Sequence, residues 1–143
     1  MNEISILLIE DNEGDIVLTL EALKEARIHN RVDVARDGEE ALRFLQKEGA
    51  FVTAPTPGLI LLDINLPKMD GIEVLAKIKN DEHLKLIPVV MLTTSSAEKD
   101  VIDSYAHYAN CFITKPVGYQ HFMEVIYTIR EFWISLVKLP KLN

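Results

Sequence analysis

The sequence contains little cysteine, glycine, proline or tryptophan. Among its 143 residues there are one cysteine, six glycines, six prolines and one tryptophan. Because Cys111 is the only cysteine, an internal disulfide is excluded, and its apolar neighbours predict a buried, reduced thiol. The glycines and prolines do not gather into a low-complexity tract.

Long apolar runs and an excess of positive charge are also missing. No run is long enough to span a bilayer, and no signal-peptide pattern precedes the first apolar segment. Fifteen Lys and Arg face 22 Asp and Glu, which gives a formal net charge of -7. Nucleic-acid binding relies on cationic side chains that neutralise phosphates, so this balance argues against it. We therefore expect a soluble, cytoplasmic protein that binds neither nucleic acid nor a membrane.

Short apolar segments alternate along the chain with segments of helical periodicity. The length fits one domain, residues 1–143, with 138–143 as a C-terminal tail. Predicted strands cover 4–9, 32–35, 59–62, 89–92 and 111–113, and predicted helices cover 13–27, 38–49, 71–80, 95–106 and 119–137. This alternation predicts an α/β, doubly wound, five-stranded parallel sheet with helices on both faces, flavodoxin-like. The strand order 2-1-3-4-5 is adopted as a common order for such sheets.

Polar residues mark the predicted starts of three helices. Asn12 is the predicted cap of the first helix, Asp37 pairs with Glu40 before the second, and Ser95 pairs with Glu98 before the fourth.

Charged and hydroxyl side chains follow four of the predicted strands. Glu10 and Asp11 end the first strand, Asp63 the third, Thr93 the fourth and Lys115 the fifth. The carboxyl ends of parallel strands meet at one edge, where open α/β sheets bind ligands. Three carboxylates this close would repel one another unless a cation lay between them. Mg²⁺ suits such oxygen ligands, and Mn²⁺ can substitute for it.

The expected metal ligands have different roles. Asp11 and Asp63 are expected to bind the ion directly and Glu10 through a water molecule. The backbone carbonyl of Asn65 is expected to be a further ligand. As an alternative, Glu10 and Asp11 could merely favour the start of the first helix, as acids near a helix N-terminus do.

The same edge has the chemistry for phosphoryl transfer. The carboxylate of Asp63 is a competent nucleophile without a general base. The transition state mainly needs positioning and charge neutralisation, which Mg²⁺, the Lys115 ammonium and the Thr93 hydroxyl would supply.

Together these residues resemble the receiver domain of two-component response regulators over essentially the whole chain. The resemblance is carried by Glu10-Asp11, by Asp63 with Pro67 and Gly71, by Thr93, and by Lys115-Pro116. It implies that Asp63 accepts a phosphoryl group from a sensor histidine kinase, that Mg²⁺ is required, and that the Lys115-Pro116 peptide is cis. The resemblance also allows a histidine phosphotransfer protein as a second kind of partner.

A narrower similarity is to the small single-domain regulators that partner phytochrome kinases. It is carried by Glu10-Asp11-Asn12 with Gly14-Asp15, the Pro55/Pro57 loop, Leu92-Thr93-Thr94-Ser95, and the tail from Phe132-Trp133 to Leu139-Pro140. The kinase partner implied is a phytochrome. Its identity and stimulus, the downstream target, the direction of phosphoryl flow and the phosphoryl lifetime stay open.

Two residues depart from the receiver pattern. Many receivers have a tyrosine three residues before the lysine, whereas this chain has Phe112, so a switch built on Thr93 and Phe112 would lack a ring hydroxyl. Thr94 is bulkier than the small residue often found beside the phosphoryl-binding threonine.

The fifth helix has apolar residues on more than one stripe, although a helix packed on one sheet face needs only an apolar arc of about 100°. We expect a homodimer interface made from helix four, strand five and helix five. Its candidate anchors are Tyr105, Tyr108, Phe132 and Trp133. The alternative is a tail folded back over its own core, and whether dimerisation depends on phosphorylation stays open.

Four functional classes were compared. The phosphoryl-accepting switch, which is not an enzyme acting on other substrates, is favoured. A phosphorylation-independent binding module would be expected to lack a site residue, and none is lost. A dehalogenase-like phosphatase needs Asp-x-Asp after the first strand, where this chain has Glu10-Asp11-Asn12. In a flavodoxin-type flavin carrier, the acidic residues of the first loop would repel the cofactor phosphate.

Overall fold

The computed structural model describes residues 3–140 and 142. Five strands alternate with five α-helices, and the π-helical segment Ile129–Leu136 continues the last helix. The strands are β1 Ile6–Ile9, β2 Val32–Ala35, β3 Leu59–Leu62, β4 Val89–Thr93 and β5 Cys111–Thr114. The helices are α1 Glu13–Glu25, α2 Gly38–Gln46, α3 Gly71–Lys79, α4 Glu98–Ala106 and α5 Tyr119–Thr128. Two short 3₁₀ turns cover Gly49–Phe51 and Leu84–Leu86.

The five strands form one parallel sheet in the order β2-β1-β3-β4-β5. Every residue of β1 and β3 is buried, as expected for inner strands covered on both faces. Successive side chains point to opposite faces, so Leu7 and Ile9 belong to one core cluster while Ile6 and Leu8 belong to the other. The predicted doubly wound fold and its strand order are confirmed.

Two of the three predicted helix caps are present. Asn12 Oδ1 accepts the backbone N–H of Asp15 at 2.9 Å, and Asp37 Oδ1 accepts that of Glu40 at 2.7 Å. The carboxylate of Glu40 accepts the N–H of Arg36 at 2.7 Å, one residue before the N–H that a capping box uses.

The predicted cap at Ser95 is wrong. Helix α4 begins at Glu98, and its N-cap residue, Ala97, has an extended backbone and no capping side chain. The Ser95 hydroxyl instead donates to Asp100 Oδ2 at 2.5 Å. Because the helix begins three residues after Ser95, the serine lies too early to satisfy the free N–H groups of the helix.

The fifth helix ends earlier as an α-helix than predicted, because the chain changes to π-helical geometry after Thr128. Arg130 Nη1 donates to the Ala26 carbonyl, at the C-terminus of α1, at 2.7 Å. Trp133 and Ile134 are partly buried and pack against the core cluster between α1 and α5. This part of the tail therefore folds over its own core, as the alternative interpretation held.

Three smaller observations complete the fold. Cys111 is half-buried rather than fully buried, and burial raises the pKa of its thiol. The described residues contain no cis peptide bond, so the prediction for Lys115-Pro116 is wrong. The reason is that the trans isomer is favoured before proline by about 0.5–1 kcal/mol. Across residues 3–140 and 142, no helix is both long enough and apolar enough to cross a membrane.

Candidate functional site

The residues predicted from strand ends meet at the carboxyl edge of the sheet. Glu10 and Asp63 directly follow β1 and β3, Thr93 ends β4, and Lys115 directly follows β5. Glu10 is 1% exposed, Asp63 5% and Thr93 0%, and the Lys115 side chain is 8% exposed. Four chemically active groups therefore lie almost out of contact with water.

Three of the four predicted metal ligands form an acidic cluster. One carboxylate oxygen from each of Glu10, Asp11 and Asp63 lies within 4.8 Å of the others. Asp11 is exposed, whereas Glu10 and Asp63 are buried. Hard oxygen donors in this number fit Mg²⁺ or Mn²⁺, which usually retain several waters.

The backbone around Asp63 holds its carboxylate in place. Asp63 Oδ1 accepts the N–H of Ile64 at 2.7 Å and that of Asn65 at 3.4 Å. The Gly71 N–H donates to the Ile64 carbonyl at 2.8 Å, which folds the loop back onto itself. A Cβ at position 71 would lie 2.1 Å from the Asp63 carbonyl oxygen, so only glycine permits this approach. A metal role for the Asn65 carbonyl stays a prediction.

Lys115 lies between two carboxylates. Its ammonium contacts Glu10 Oε1 and lies 3.3 Å from Asp15 Oδ2. Burial lowers the pKa of Lys115, but hydrogen bonding to Glu10 and the charges of Glu10, Asp63 and Asp15 outweigh burial and raise it. Burial raises the pKa of Glu10 to about 7, although Lys115 acts in the opposite direction. The Lys115 ammonium, which is predicted to neutralise a phosphoryl oxygen, is thus cationic and already paired with carboxylates.

The two predicted switch residues belong to neighbouring strands. Thr93 Oγ1 accepts the N–H of Ser95 at 3.3 Å, so the hydroxyl oxygen faces the start of the loop before α4. Phe112 is half-buried, and its N–H donates to Tyr105 Oη at 3.1 Å. Thr94, the bulky neighbour of Thr93, is exposed. Whether Thr93 and Phe112 act as a switch stays a prediction.

The interface candidates separate into two groups. Tyr105, Tyr108 and Phe132 are 49%, 75% and 45% exposed. Trp133 packs against its own core and stacks edge-on with Phe132, with ring centroids 5.2 Å apart. Trp133 is therefore a poorer candidate for a subunit contact than the other three.

Asp15 belongs to the site but is not among the residues predicted from the sequence. Its signal was its place in the first turn of α1, the helix that follows Glu10 and Asp11. That place was interpreted only as part of a helix start, because a pairing with a residue 100 positions away is not visible in local sequence.

Comparison with known proteins points to one family. Residues 6–127 match the family model described as the response regulator receiver domain. The response regulator Rcp1 of Synechocystis sp. strain PCC 6803 is 47% identical over 135 residues, which cover 94% of this chain and 92% of that protein.

Solved structures agree with this match. The Mn²⁺-bound form of Rcp1 superimposes with a TM-score of 0.90 at 46% identity, covering 96% of this chain and 99% of that one. The phosphorylated cyanobacterial phytochrome response regulator RcpA gives a TM-score of 0.93 at 46% identity, covering 98% of this chain and 100% of that one. The bacteriophytochrome response regulator AtBRR gives a TM-score of 0.78 at 42% identity, covering 99% and 100%.

Proposed function

The chain belongs to the response regulator receiver family, and on that premise we propose that it accepts a phosphoryl group on Asp63. Aspartyl phosphorylation is inherent to the family, and one relative has been solved in its phosphorylated form. The observation that supports Asp63 is its place beside Glu10, Asp11 and a buried lysine at one sheet edge.

Receiver domains bind a divalent metal, and the relative Rcp1 has been solved with Mn²⁺. Here Asp11 and Asp63 would hold Mg²⁺ directly, Glu10 through water, and the Asn65 carbonyl would be a further ligand. Mn²⁺ can take the same place. When bound, the ion neutralises negative charge on the carboxylates and on phosphoryl oxygens.

The protein's own residues carry out the transfer. A carboxylate oxygen of Asp63 forms a bond to phosphorus while the bond from phosphorus to the imidazole nitrogen of a phosphohistidine breaks. The imidazole leaves with that electron pair. The Thr93 hydroxyl and the Lys115 ammonium bind phosphoryl oxygens and neutralise the charge that remains. Lys115 reaches this position only by turning from its resting contacts.

The phosphoryl donor in this proposal is a sensor histidine kinase. A phytochrome is the favoured kinase, because the similar structures include phytochrome and bacteriophytochrome response regulators. A histidine phosphotransfer protein is an alternative donor or acceptor. The formal net charge of -7 argues against a nucleic-acid partner. A cytoplasmic location and the absence of a membrane partner are further parts of the proposal.

The output in this proposal is a change of surface. Phosphorylation would favour a second arrangement of Thr93 and Phe112 and so alter α4, β5 and α5. Tyr105 lies on α4, and Tyr108 lies in the turn between α4 and the edge strand β5. A homodimer through this surface is part of the proposal. The chemistry is confined to the protein's own phosphorylation and dephosphorylation, so we do not class it as an enzyme.

Intact mass spectrometry after incubation with acetyl phosphate tests the proposal. The parent and Asp63→Asn are compared with and without Mg²⁺, and Asp37→Asn serves as a control aspartate outside the cluster. We expect one phosphate adduct that needs both Mg²⁺ and Asp63 and that Asp37→Asn retains. An adduct on Asp63→Asn would contradict the assignment. Failure of acetyl phosphate and of a histidine kinase to label the parent would favour a phosphorylation-independent binding module.

A further inference from the structure

The resting position of Lys115 leaves the proposed phosphoryl acceptor without its cation. Within the described residues, the ammonium pairs with Glu10 and with Asp15, at 3.3 Å, and forms no ion pair with Asp63. The side chain of Lys115 is 8% exposed, so these carboxylates and the surrounding protein replace most of its contact with water. Glu10 belongs to the metal cluster, but Asp15 is not among its members.

The second partner of Lys115 lies at the start of α1. Asp15 is the third residue of α1, and its N–H donates to Asn12 Oδ1 at 2.9 Å. Its side chain is 35% exposed, whereas that of Lys115 is 8% exposed. The carboxylate of Asp15 is therefore a more solvent-accessible partner for the ammonium than the buried Glu10.

We propose that Asp15 is a positioning residue that restrains Lys115 in the resting protein and competes with the incoming phosphoryl group for its ammonium. This inference rests on the function proposed above. Phosphoryl transfer to Asp63 requires Lys115 to exchange a carboxylate contact for a phosphoryl oxygen. The ion pair with Asp15 opposes that exchange, since it is present in the resting state and weakened when the ammonium moves.

The chain contains a matched control on the same helical turn. Glu13 also lies in the first turn of α1, but its carboxylate pairs with Arg36 at 3.1 Å. Glu13→Gln removes one negative charge and the same type of interaction with the helix N-terminus as Asp15→Asn does. Only Asp15→Asn removes a partner of Lys115.

The first experiment measures the initial rate of adduct formation with acetyl phosphate and Mg²⁺ by intact mass spectrometry. An ion pair of this exposure corresponds to a rate gain of about two- to fivefold for Asp15→Asn. Glu13→Gln should be labelled at the parent rate. Asp15→Glu should also be labelled at the parent rate, because it keeps a carboxylate at position 15. A rate for Asp15→Asn that does not exceed that of Glu13→Gln would overturn the inference.

A second comparison asks whether Asp15 acts through Lys115. In a Lys115→Met background, Asp15→Asn should no longer change the labelling rate, because the contact it removes is already gone. An undiminished gain in that background would overturn the inference. Thermal denaturation of every variant confirms that the folded protein is being compared.

Nuclear magnetic resonance separates this inference from the proposed function. In unphosphorylated, ¹⁵N-labelled protein, Asp15→Asn should shift the ammonium resonance of Lys115, and Glu13→Gln should leave it in place. If the parent is never labelled at Asp63 but this shift occurs, the phosphoryl-accepting function fails while the restraint by Asp15 stands. An unchanged Lys115 resonance would overturn the restraint regardless of labelling.

Discussion

Thr93 places a hydroxyl in the most buried position of the site. It is 0% exposed, and its oxygen already accepts one hydrogen bond from the Ser95 N–H. Among the described residues the hydroxyl acts only as an acceptor, so it can donate its proton to a phosphoryl oxygen, which an isosteric valine cannot do.

We predict that Thr93→Val slows labelling of Asp63 by acetyl phosphate by at least about tenfold, since loss of one well-placed donor has a large effect on transition-state charge. Thr94→Val is the control, because Thr94 is adjacent but exposed. Initial rates from intact mass spectrometry measure the effect. Equal rates for the two variants would show that the Thr93 hydroxyl does not contribute to phosphoryl transfer.

Asp11 is the exposed member of the acidic cluster, so its carboxylate can be changed without burying an unpaired group. Loss of a residue that only hydrogen-bonds to a metal ligand costs about 10–100-fold in affinity, so loss of a proposed direct ligand in Asp11→Asn should weaken Mn²⁺ binding by at least about tenfold. Electron paramagnetic resonance of free Mn²⁺ measures the binding constant. Glu13→Gln, which is equal in charge and outside the cluster, should bind as the parent does, and a parallel loss in both variants would indicate only a general charge effect.

Gly71 makes a contact that no other residue could make. An added Cβ would lie 2.1 Å from the Asp63 carbonyl oxygen and 2.7 Å from Ile64 Cα, and both obstacles are backbone atoms. We predict that Gly71→Ala lowers the free energy of unfolding by about 1–3 kcal/mol and also slows labelling of Asp63. Urea denaturation measures the first effect. Gly14→Ala is the control: its Cβ would lie 3.2 Å from Asn12 Oδ1, a side-chain atom that can move, so the free energy of unfolding should change by less than about 1 kcal/mol.

At the scale of elements, the strands were the easiest features to predict. Inner strands such as Leu59–Leu62 are unbroken apolar runs because both of their faces are buried, and the residues that end them identify the site. Helix boundaries were harder, since Ser95 has the chemistry of a cap but bonds to Asp100 once the loop is folded. The change to π-helical geometry after Thr128 and the pairing of Asp15 with Lys115 depend on tertiary contacts that no local pattern contains.

A hydrogen bond to a tyrosine hydroxyl joins helix α4 to the edge strand β5. Tyr105 Oη accepts the N–H of Phe112, so α4 provides a hydroxyl next to the residue whose own ring lacks one. We predict that Tyr105→Phe accelerates amide hydrogen exchange at Phe112 by about two- to tenfold, because this factor corresponds to the free energy of one ordinary hydrogen bond. Tyr108→Phe, at the more exposed tyrosine, should leave that amide unchanged. An unchanged Phe112 amide in Tyr105→Phe would show that the contact does not hold α4 to β5.

At the scale of the whole molecule, Phe132→Ala tests the proposed homodimer better than Trp133→Ala does. Phe132 is 45% exposed, whereas Trp133 packs against its own core. We predict that Phe132→Ala weakens a dimer and lowers thermal stability only slightly, through loss of its edge-on contact with Trp133, and that Trp133→Ala lowers thermal stability more. Light scattering and thermal denaturation measure the two effects. A parent protein that is monomeric at micromolar concentration would contradict the dimer.

The place of the single tryptophan determines what intrinsic fluorescence can report. Trp133 follows Arg130, which binds the C-terminus of α1, whereas the acidic cluster lies near the N-terminus of that helix. The indole is thus an optical probe near the end of α1 that lies away from the proposed phosphoryl site. Quenching or a spectral shift on addition of Mg²⁺ or acetyl phosphate would be a long-range signal, and constant emission during labelling would mean that the response stops before the C-terminal segment.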